Sequence, residues 1–262
     1  MSKIKFIASD LDGTLLLNGA QSLGPDTCSL IRRLREAGIL FFAASGRQYP
    51  NLRRLFTPVQ EDIGYLCENG CTAYWQGRLL FRERMDRALG QEILTAILQK
   101  DGAEALLSGE MTSYLQPKDM AYVRHMREVV RNDVTLVPDL LDTQEEYMKI
   151  SVCEPAGLQD AAWWQERFGS RCTVVTSGNI WLDMMPKGVN KGTALRRVLD
   201  ALGIPPEDCM AIGDNDNDRE MLELCGFPAS VRSARPQIRA LARYEDDTVE
   251  QLFRRILAGE IG

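Results

Sequence analysis

The sequence predicts an α/β fold: an open parallel-sheet core interrupted by an α+β insert. Three observations lead there. Short, continuous apolar runs alternate with helical patterns at both ends of the chain. Four of these runs end on a cluster of acidic, amide, hydroxyl or glycine residues. The middle of the chain keeps a different rhythm, mixing longer helices with strand-like pieces.

Residues 4–8 form the first apolar run. Residues 26–37 follow with Leu30, Ile31, Leu34 and Ala37 at helical spacing, and Gly38 stands where a helix stops. The run 39–44 is apolar throughout, the pattern of a strand buried on both faces. A helix over 48–56 and a strand over 63–67 complete a β-α-β-α-β order, which calls for parallel strands with right-handed crossovers. The same rhythm returns late, with a helix over Lys191–Leu202 that aligns Leu195, Val198, Leu199 and Leu202, a strand over 209–212, and helices over 218–224 and 248–257. Between them lie helices over 88–100, 121–131 and Ala161–Phe168, and strand-like pieces at 105–108, 147–153, Cys172–Thr176 and 179–184. Ser177-Gly178 reads as the turn joining the last two into a hairpin. The expected division is a core domain from 1–81 and 186–262, with an inserted domain from 82–185.

Composition narrows the function. The 262 residues carry a formal charge of −6, so the whole chain lacks the basic footprint of a nucleic-acid binder. Its seven cysteines (28, 67, 71, 153, 172, 209 and 225) contain no Cys-x-x-Cys, and His125 is the single histidine, so no soft-metal site can be completed. Several of the cysteines lie in apolar runs, as reduced thiols do in a reducing compartment. Lys3 and Lys5 interrupt the first apolar run, which excludes a signal-type segment there, and no uncharged apolar stretch is long enough to span a membrane. A cytoplasmic protein with no membrane or nucleic-acid partner is expected.

The informative feature is where polar residues follow apolar runs. Asp10-Leu11-Asp12-Gly13-Thr14 follows the first, Ser45-Gly46-Arg47 the second and Glu68-Asn69-Gly70 the third. Gly213-Asp214-Asn215-Asp216-Asn217-Asp218 follows the run 209–212. Each alone has an ordinary explanation. Asp10 to Thr14 also reads as a surface turn, and Ser45-Gly46 has a turn as its alternative; Asp214 to Asp218 reads as acids at a helix N-terminus; Lys191 reads as an early helix residue. If the runs are parallel strands, all four clusters meet at one sheet edge, where open α/β sheets collect ligands. Several carboxylates beside a hydroxyl, backbone N–H groups and an amide suit a hard cation with an anionic group next to it. Lys187 and Lys191 are placed to balance charge, although Lys187 by itself reads as structural or peripheral. His125 is expected on the surface of an inserted helix. Trp75 and Trp181 read as packing residues, and at least one of Trp163 and Trp164 belongs in a core.

In this order the motifs resemble those of the haloacid dehalogenase-like (HAD) phosphatases: Asp10-Leu11-Asp12-Gly13-Thr14, Ala44-Ser45-Gly46-Arg47, Lys191 within Pro186-Lys187-Gly188-Val189-Asn190-Lys191-Gly192, and the acidic run 213–218. The insert resembles the large cap of the Cof-type branch, and Leu182-Asp183-Met184-Met185-Pro186 resembles its return to the core. The likeness spans essentially the whole chain. It implies a Rossmann-like parallel-sheet core and a Mg2+-dependent phosphomonoesterase acting through an aspartyl-phosphate on a small phosphorylated metabolite: a sugar phosphate, sugar-acid phosphate or cofactor phosphate. By the same resemblance Asp10 is the nucleophile and Asp12 the general acid/base. Mg2+ is held by Asp10, the backbone carbonyl of Asp12, and Asp214. Ser45, the Gly46 N–H and Lys191 bind phosphate; Asn217 binds phosphate or orients a neighbour; Asp218 fixes Lys191 or a metal-bound water. Asn69-Gly70 shapes the floor. The cap is expected to close over the core, with specificity set by segments such as 111–114 or 181–183.

The ending departs from the family pattern. Ala229-Ser230-Val231-Arg232-Ser233-Ala234 replaces the usual small-residue strand and Asn-Ala pair, and the acidic loop shrinks to Tyr244-Glu245-Asp246-Asp247-Thr248. Two other functions use similar machinery, a sugar phosphomutase and a non-catalytic phosphometabolite-binding protein. The second tends to lose the nucleophile or the acid/base, and both candidates are retained here.

Overall fold

The computed structural model describes residues 3–262. The chain folds as two compact units: the amino-terminal residues through Ser45 with Leu52–Phe81 and Asn190–Gly262, and an inserted unit of Gly46–Asn51 with Arg82–Val189. Gly46–Asn51 groups with the inserted unit because its buried amides find partners there. Gln48 Nε2 donates to the Thr112 carbonyl at 3.1 Å, and Asn51 Nδ2 donates to the Val130 carbonyl at 2.7 Å.

The chain begins with β1 (Phe6–Ser9), α1 (Thr27–Glu36), β2 (Leu40–Ala44), α2 (Tyr49–Leu55) and β3 (Gly64–Cys67). Two strands that the apolar pattern did not announce follow, β4 (Thr72–Trp75) and β5 (Arg78–Arg82). The inserted unit then contributes α3 (Arg87–Gln99), β6 (Glu104–Ser108), β7 (Ser113–Leu115), α4 (Met120–Glu128), β8 (Val134–Leu136), β9 (Lys149–Cys153), α5 (Ala161–Phe168), β10 (Cys172–Thr176) and β11 (Trp181–Pro186). The chain returns to the first unit with α6 (Lys191–Leu202), β12 (Cys209–Gly213), α7 (Arg219–Leu224), β13 (Phe227–Val231), α8 (Pro236–Arg239), β14 (Tyr244–Asp246) and α9 (Val249–Leu257).

The first unit is built on one sheet in the order β14-β13-β12-β1-β2-β3-β4-β5. Its central pairs, β12–β1, β1–β2 and β2–β3, are parallel, and only at β4 does an antiparallel partner join β3. Strand order advances one way from β1 through β2 and β3, and the other way through β12 and β13. The switch lies between β1 and β12, which is where the carboxyl ends of an open sheet leave a crevice. Side chains alternate across the sheet. Phe41 of β2 meets Phe253 of α9 edge-on at 5.7 Å, whereas its neighbour Phe42 lies 4.7 Å from Phe6 and stacks on Trp75 at 5.4 Å. Helices α1 and α9 pack together, and α6 covers β3 and β4. α6 is closed by the Asn190 cap at its start, whose side chain accepts from the Thr193 N–H.

The inserted unit has its own sheet, β10-β11-β9-β6-β7-β8. One face, with Leu107, Ile150, Val152, Leu182 and Met184, packs on Ile93, Leu94 and Ile97 of α3 and on Trp164 and Phe168 of α5. The other carries Leu106, Leu115 and Cys153 against Tyr122, Val123 and Met126 of α4. The β10–β11 pair is the expected antiparallel hairpin. Trp164 is fully buried while Trp163 is 42% exposed, so one of the pair is core. His125 is half-buried rather than free on the surface, because its ring stacks on Trp181 at 6.4 Å. Among the described residues no helix is long and apolar enough to cross a membrane, and all seven cysteines are free.

Candidate active site

The parallel register places Asp10 one residue beyond β1, Ser45 one beyond β2, Glu68 one beyond β3 and Asp214 one beyond β12. The four clusters therefore share the carboxyl edge of one sheet. Asp10 is anchored through its own backbone, whose N–H donates to the Ile212 carbonyl at 2.9 Å. Ser45 is buried; its N–H donates to the Leu66 carbonyl at 2.9 Å, and its carbonyl accepts from the Asn69 N–H at 3.0 Å.

Asp10, Asp214 and Asp218 each bring one carboxylate oxygen to within 4.8 Å of the others. Lys191, the first residue of α6 and fully buried, donates to Asp10 Oδ1 and, at 2.6 Å, to Asp218 Oδ1. The second Asp218 oxygen accepts the backbone N–H of Asp214 at 3.0 Å and of Asn215 at 3.1 Å. With both oxygens engaged, Asp218 positions Lys191 and the 213–218 turn. Asp10 and Asp214 remain as the carboxylates available to a ligand. Thr14 Oγ1 donates to Asp214 Oδ1 at 2.7 Å. Between them the chain turns at Gly13, with φ +97°, where a Cβ would stand 2.5 Å from Asp214 Oδ2. A side chain there would be strained and would push the carboxylate aside.

The electrostatics of the cluster are unbalanced. Burial, then the Asp218 charge, hold the Asp10 carboxyl well above the usual carboxylate range, against the pull of Lys191. Burial also raises the Asp214 carboxyl, partly offset by the Thr14 hydrogen bond. Burial works against the charge on Lys191, but Asp10 and Asp218 outweigh it and hold the ammonium above its ordinary value. Three carboxylates against one ammonium leave an excess negative charge, and every available donor is a hard oxygen. The set fits a divalent hard cation held by Asp10 and Asp214.

The remaining sequence-predicted residues fall around this centre. Asp12 is exposed and its carboxylate lies outside the acidic triad. Asn217 is half-buried and donates to Asn69 Oδ1 at 3.2 Å. Gly46 belongs to the inserted unit, directly after Ser45. Lys187 is exposed and donates to the Gly169 carbonyl, a peripheral role.

Two features of segments already marked in the sequence come from the structure. Glu68 and Asn69 are buried in consecutive left-handed conformations, φ +54° and +55°. Such backbone is sparsely populated for non-glycine residues and clusters at functional sites. An asparagine before Gly70 was the available hint, since asparagine tolerates that region. The altered ending also packs on the acidic turn. The Arg235 N–H donates to the Asp214 carbonyl at 3.0 Å, and the Arg235 guanidinium and Gln237 amide hold the two Asp216 oxygens at 2.7 and 3.0 Å.

The sequence profile of the haloacid dehalogenase-like hydrolases matches residues 7–251. The chain belongs to that family. It is 25% identical over 243 residues to the 5-amino-6-(5-phospho-D-ribitylamino)uracil phosphatase YbjI of Escherichia coli K12, covering 92% of this chain and 90% of that one. It is 30% identical over 248 residues to the HMP-PP phosphatase of Escherichia coli 55989, covering 90% and 87%. Among solved structures, SMU.1108c from Streptococcus mutans superposes with a TM-score of 0.86 at 26% identity, over 97% of this chain and 99% of that one. The departures at 229–234 thus sit inside an otherwise shared HAD framework.

Proposed function

We propose that this HAD-family chain is a Mg2+-dependent phosphomonoesterase that removes phosphate from a small phosphorylated metabolite through an aspartyl-phosphate. The observation that carries the reading is the Asp10–Asp214–Asp218 cluster at the strand-order switch, with the buried Asp10 and Asp218 paired to Lys191 and Asp214 half-buried beside them. Such a cluster is costly to build and has no structural need for three acids. The named substrate of one relative, a phosphoribitylaminouracil, belongs to the same size class.

In the reaction Asp10 attacks phosphorus, and the ester P–O bond breaks as the aspartyl-phosphate forms. Asp12 gives its proton to the departing alkoxide. It then accepts a proton from water, whose oxygen attacks the aspartyl-phosphate, releasing inorganic phosphate and restoring Asp10. Exposure suits Asp12 to both transfers. A divalent cation on Asp10, Asp214 and the Asp12 carbonyl would shield the carboxylate from the anionic phosphate and stabilise charge developing on the transferring group. Lys191, held by Asp218, and the Ser45 hydroxyl with the Gly46 N–H bind the phosphate oxygens. Asn217 orients Asn69 beside them. In this proposal the inserted domain discriminates between leaving groups.

The test is hydrolysis of a broad panel of metabolite phosphates with Mg2+, using Asp10→Asn as the blank. The expected result is metal-dependent release of phosphate by the wild type alone. Metal-dependent turnover retained in Asp10→Asn would overturn the assignment.

A further inference from the structure

Residues 46–51 leave the phosphate-binding Ser45 and are held by the inserted unit through buried polar groups that the reaction above does not use. Lys149, on β9, brings a charge to this contact. Its Nζ donates to the Gly46 carbonyl at 2.8 Å, and its side chain is only 7% exposed. Asp183 of β11 lies 3.7 Å from the ammonium. The Asp183 oxygens accept the hydroxyls of Ser151 at 2.5 Å and Ser177 at 2.9 Å. Lys149 and Ser151 share the sheet face opposite the α3–α5 core, and Ser151 is in register with Asp183.

Burying an ammonium is expensive unless it is paired and hydrogen-bonded. A methionine would fill the same space at lower cost, so packing does not account for this lysine. What the lysine adds is a grip on a single backbone carbonyl, at a glycine that has no side chain of its own to anchor it. The segment beyond is held as well. Ser113 Oγ donates to Gln48 Oε1 at 3.0 Å, and Asn51 Nδ2 donates to Asn132 Oδ1 at 2.9 Å as well as to the Val130 carbonyl. On the other side of the Ser45–Gly46 bond, the core sheet fixes both the N–H and the carbonyl of Ser45.

We propose that Lys149 is a positioning residue for phosphate binding: its grip on the Gly46 carbonyl, steadied by Asp183, holds the Gly46 backbone and with it the Gly46 N–H. The inference rests on the phosphatase reading above. Because it acts on the phosphate end, it affects all substrates alike, whereas contact with a leaving group would affect them unequally.

The experiment compares the full-length wild type with Lys149→Met and Lys149→Arg, and with Lys100→Met, which removes a solvent-facing ion pair to Asp160 in the same unit. Steady-state kinetics across several phosphate esters are read beside the inhibition constant of inorganic phosphate and the melting temperature. Lys149→Met is expected to lose about ten- to a hundredfold in kcat/KM, by the same factor for every ester, the scale of a misplaced binding group. Its phosphate inhibition constant should rise about tenfold, Lys149→Arg should recover part of both, and Lys100→Met should match the wild type. A folded Lys149→Met with wild-type kcat/KM and phosphate affinity overturns the proposal and leaves the phosphatase reading standing. Losses that reorder the ester panel overturn it too, making Lys149 a leaving-group contact. Should Lys149→Met fail to fold, Lys149→Gln, whose amide is too short to reach the carbonyl, is put through the same measurements. A wild type that neither hydrolyses esters nor binds phosphate overturns both readings.

Discussion

Replacing Asp214 with asparagine separates the charge of this side chain from its place in the fold. The Thr14 hydroxyl donates to Asp214 Oδ1 at 2.7 Å, and an amide oxygen accepts the same bond, so the variant keeps its local structure. What it loses is one of three carboxylates gathered within 4.8 Å around a single ammonium. A divalent cation neutralises the wild-type cluster, but would leave the variant with surplus positive charge. Ligand binding to the folded state stabilises it by about 2.7 kcal/mol at a hundred times Kd. A domain the size of the first unit gains roughly 2–4 °C per kcal/mol. The wild type should therefore melt roughly 5–10 °C higher in saturating Mg2+ than in chelator. Metal-free Asp214→Asn should melt at or slightly above the metal-free wild type, because burial already disfavours the Asp214 charge. Its own Mg2+ shift should fall below about 2 °C. Differential scanning fluorimetry across a Mg2+ titration, with a chelator baseline, reads both numbers. A wild type indifferent to Mg2+, or a variant that keeps the full shift, refutes the reasoning.

Asp10→Asn should lower kcat by on the order of 10⁴ while leaving the metal-free melting temperature unchanged or raised, since a buried and unfavourably charged carboxylate is removed; a lower melting temperature would contradict this account of its surroundings. Lys191→Met leaves Asp10 and Asp218 without their buried partner. The expected cost is about 3–5 kcal/mol, seen as a melting temperature lower by roughly 6–20 °C, part of it restored by excess Mg2+. Burial pushes the Cys153 thiol up to about 12 and the Cys172 thiol to about 11. Iodoacetamide at about pH 8 should therefore alkylate the half-buried Cys28 ahead of either, with the Cys28 rate rising towards pH 9 as more thiolate forms. Peptide mass spectrometry checks the order, and early labelling of Cys153 would refute it.

The elements legible in the sequence are those buried on both faces. β1, β2, β3 and β12 are predominantly apolar and almost wholly buried because helices cover each side of a parallel sheet. The strands that were missed lack that signal. β5 runs from exposed to half-buried, β7 and β8 are three residues each, and β13 contains Pro228, which argues against an interior strand. β13 is a strand because it pairs with β12 on one side and β14 on the other, and neither partner is visible in its own residues.

The same division holds for the site. Asp10, Ser45 and Asp214 were readable as candidates because each stands one residue beyond a buried apolar run, and Asp12 and Lys191 because the motifs that resemble those of the HAD phosphatases include them. That information is local, so the chain carries it without its fold. Which carboxylates face one another is a long-range matter. The family resemblance already set Asp218 apart from Asp10 and Asp214, but its partners, Lys191 and two backbone N–H groups, come from the fold. Only the tertiary structure brings Arg235 and Gln237 onto Asp216, and Lys149 onto Gly46, across separations of 19, 21 and 103 residues. The physical reason is that an acid's environment sets its charge state and its free lone pairs, and neighbours distant in sequence supply that environment.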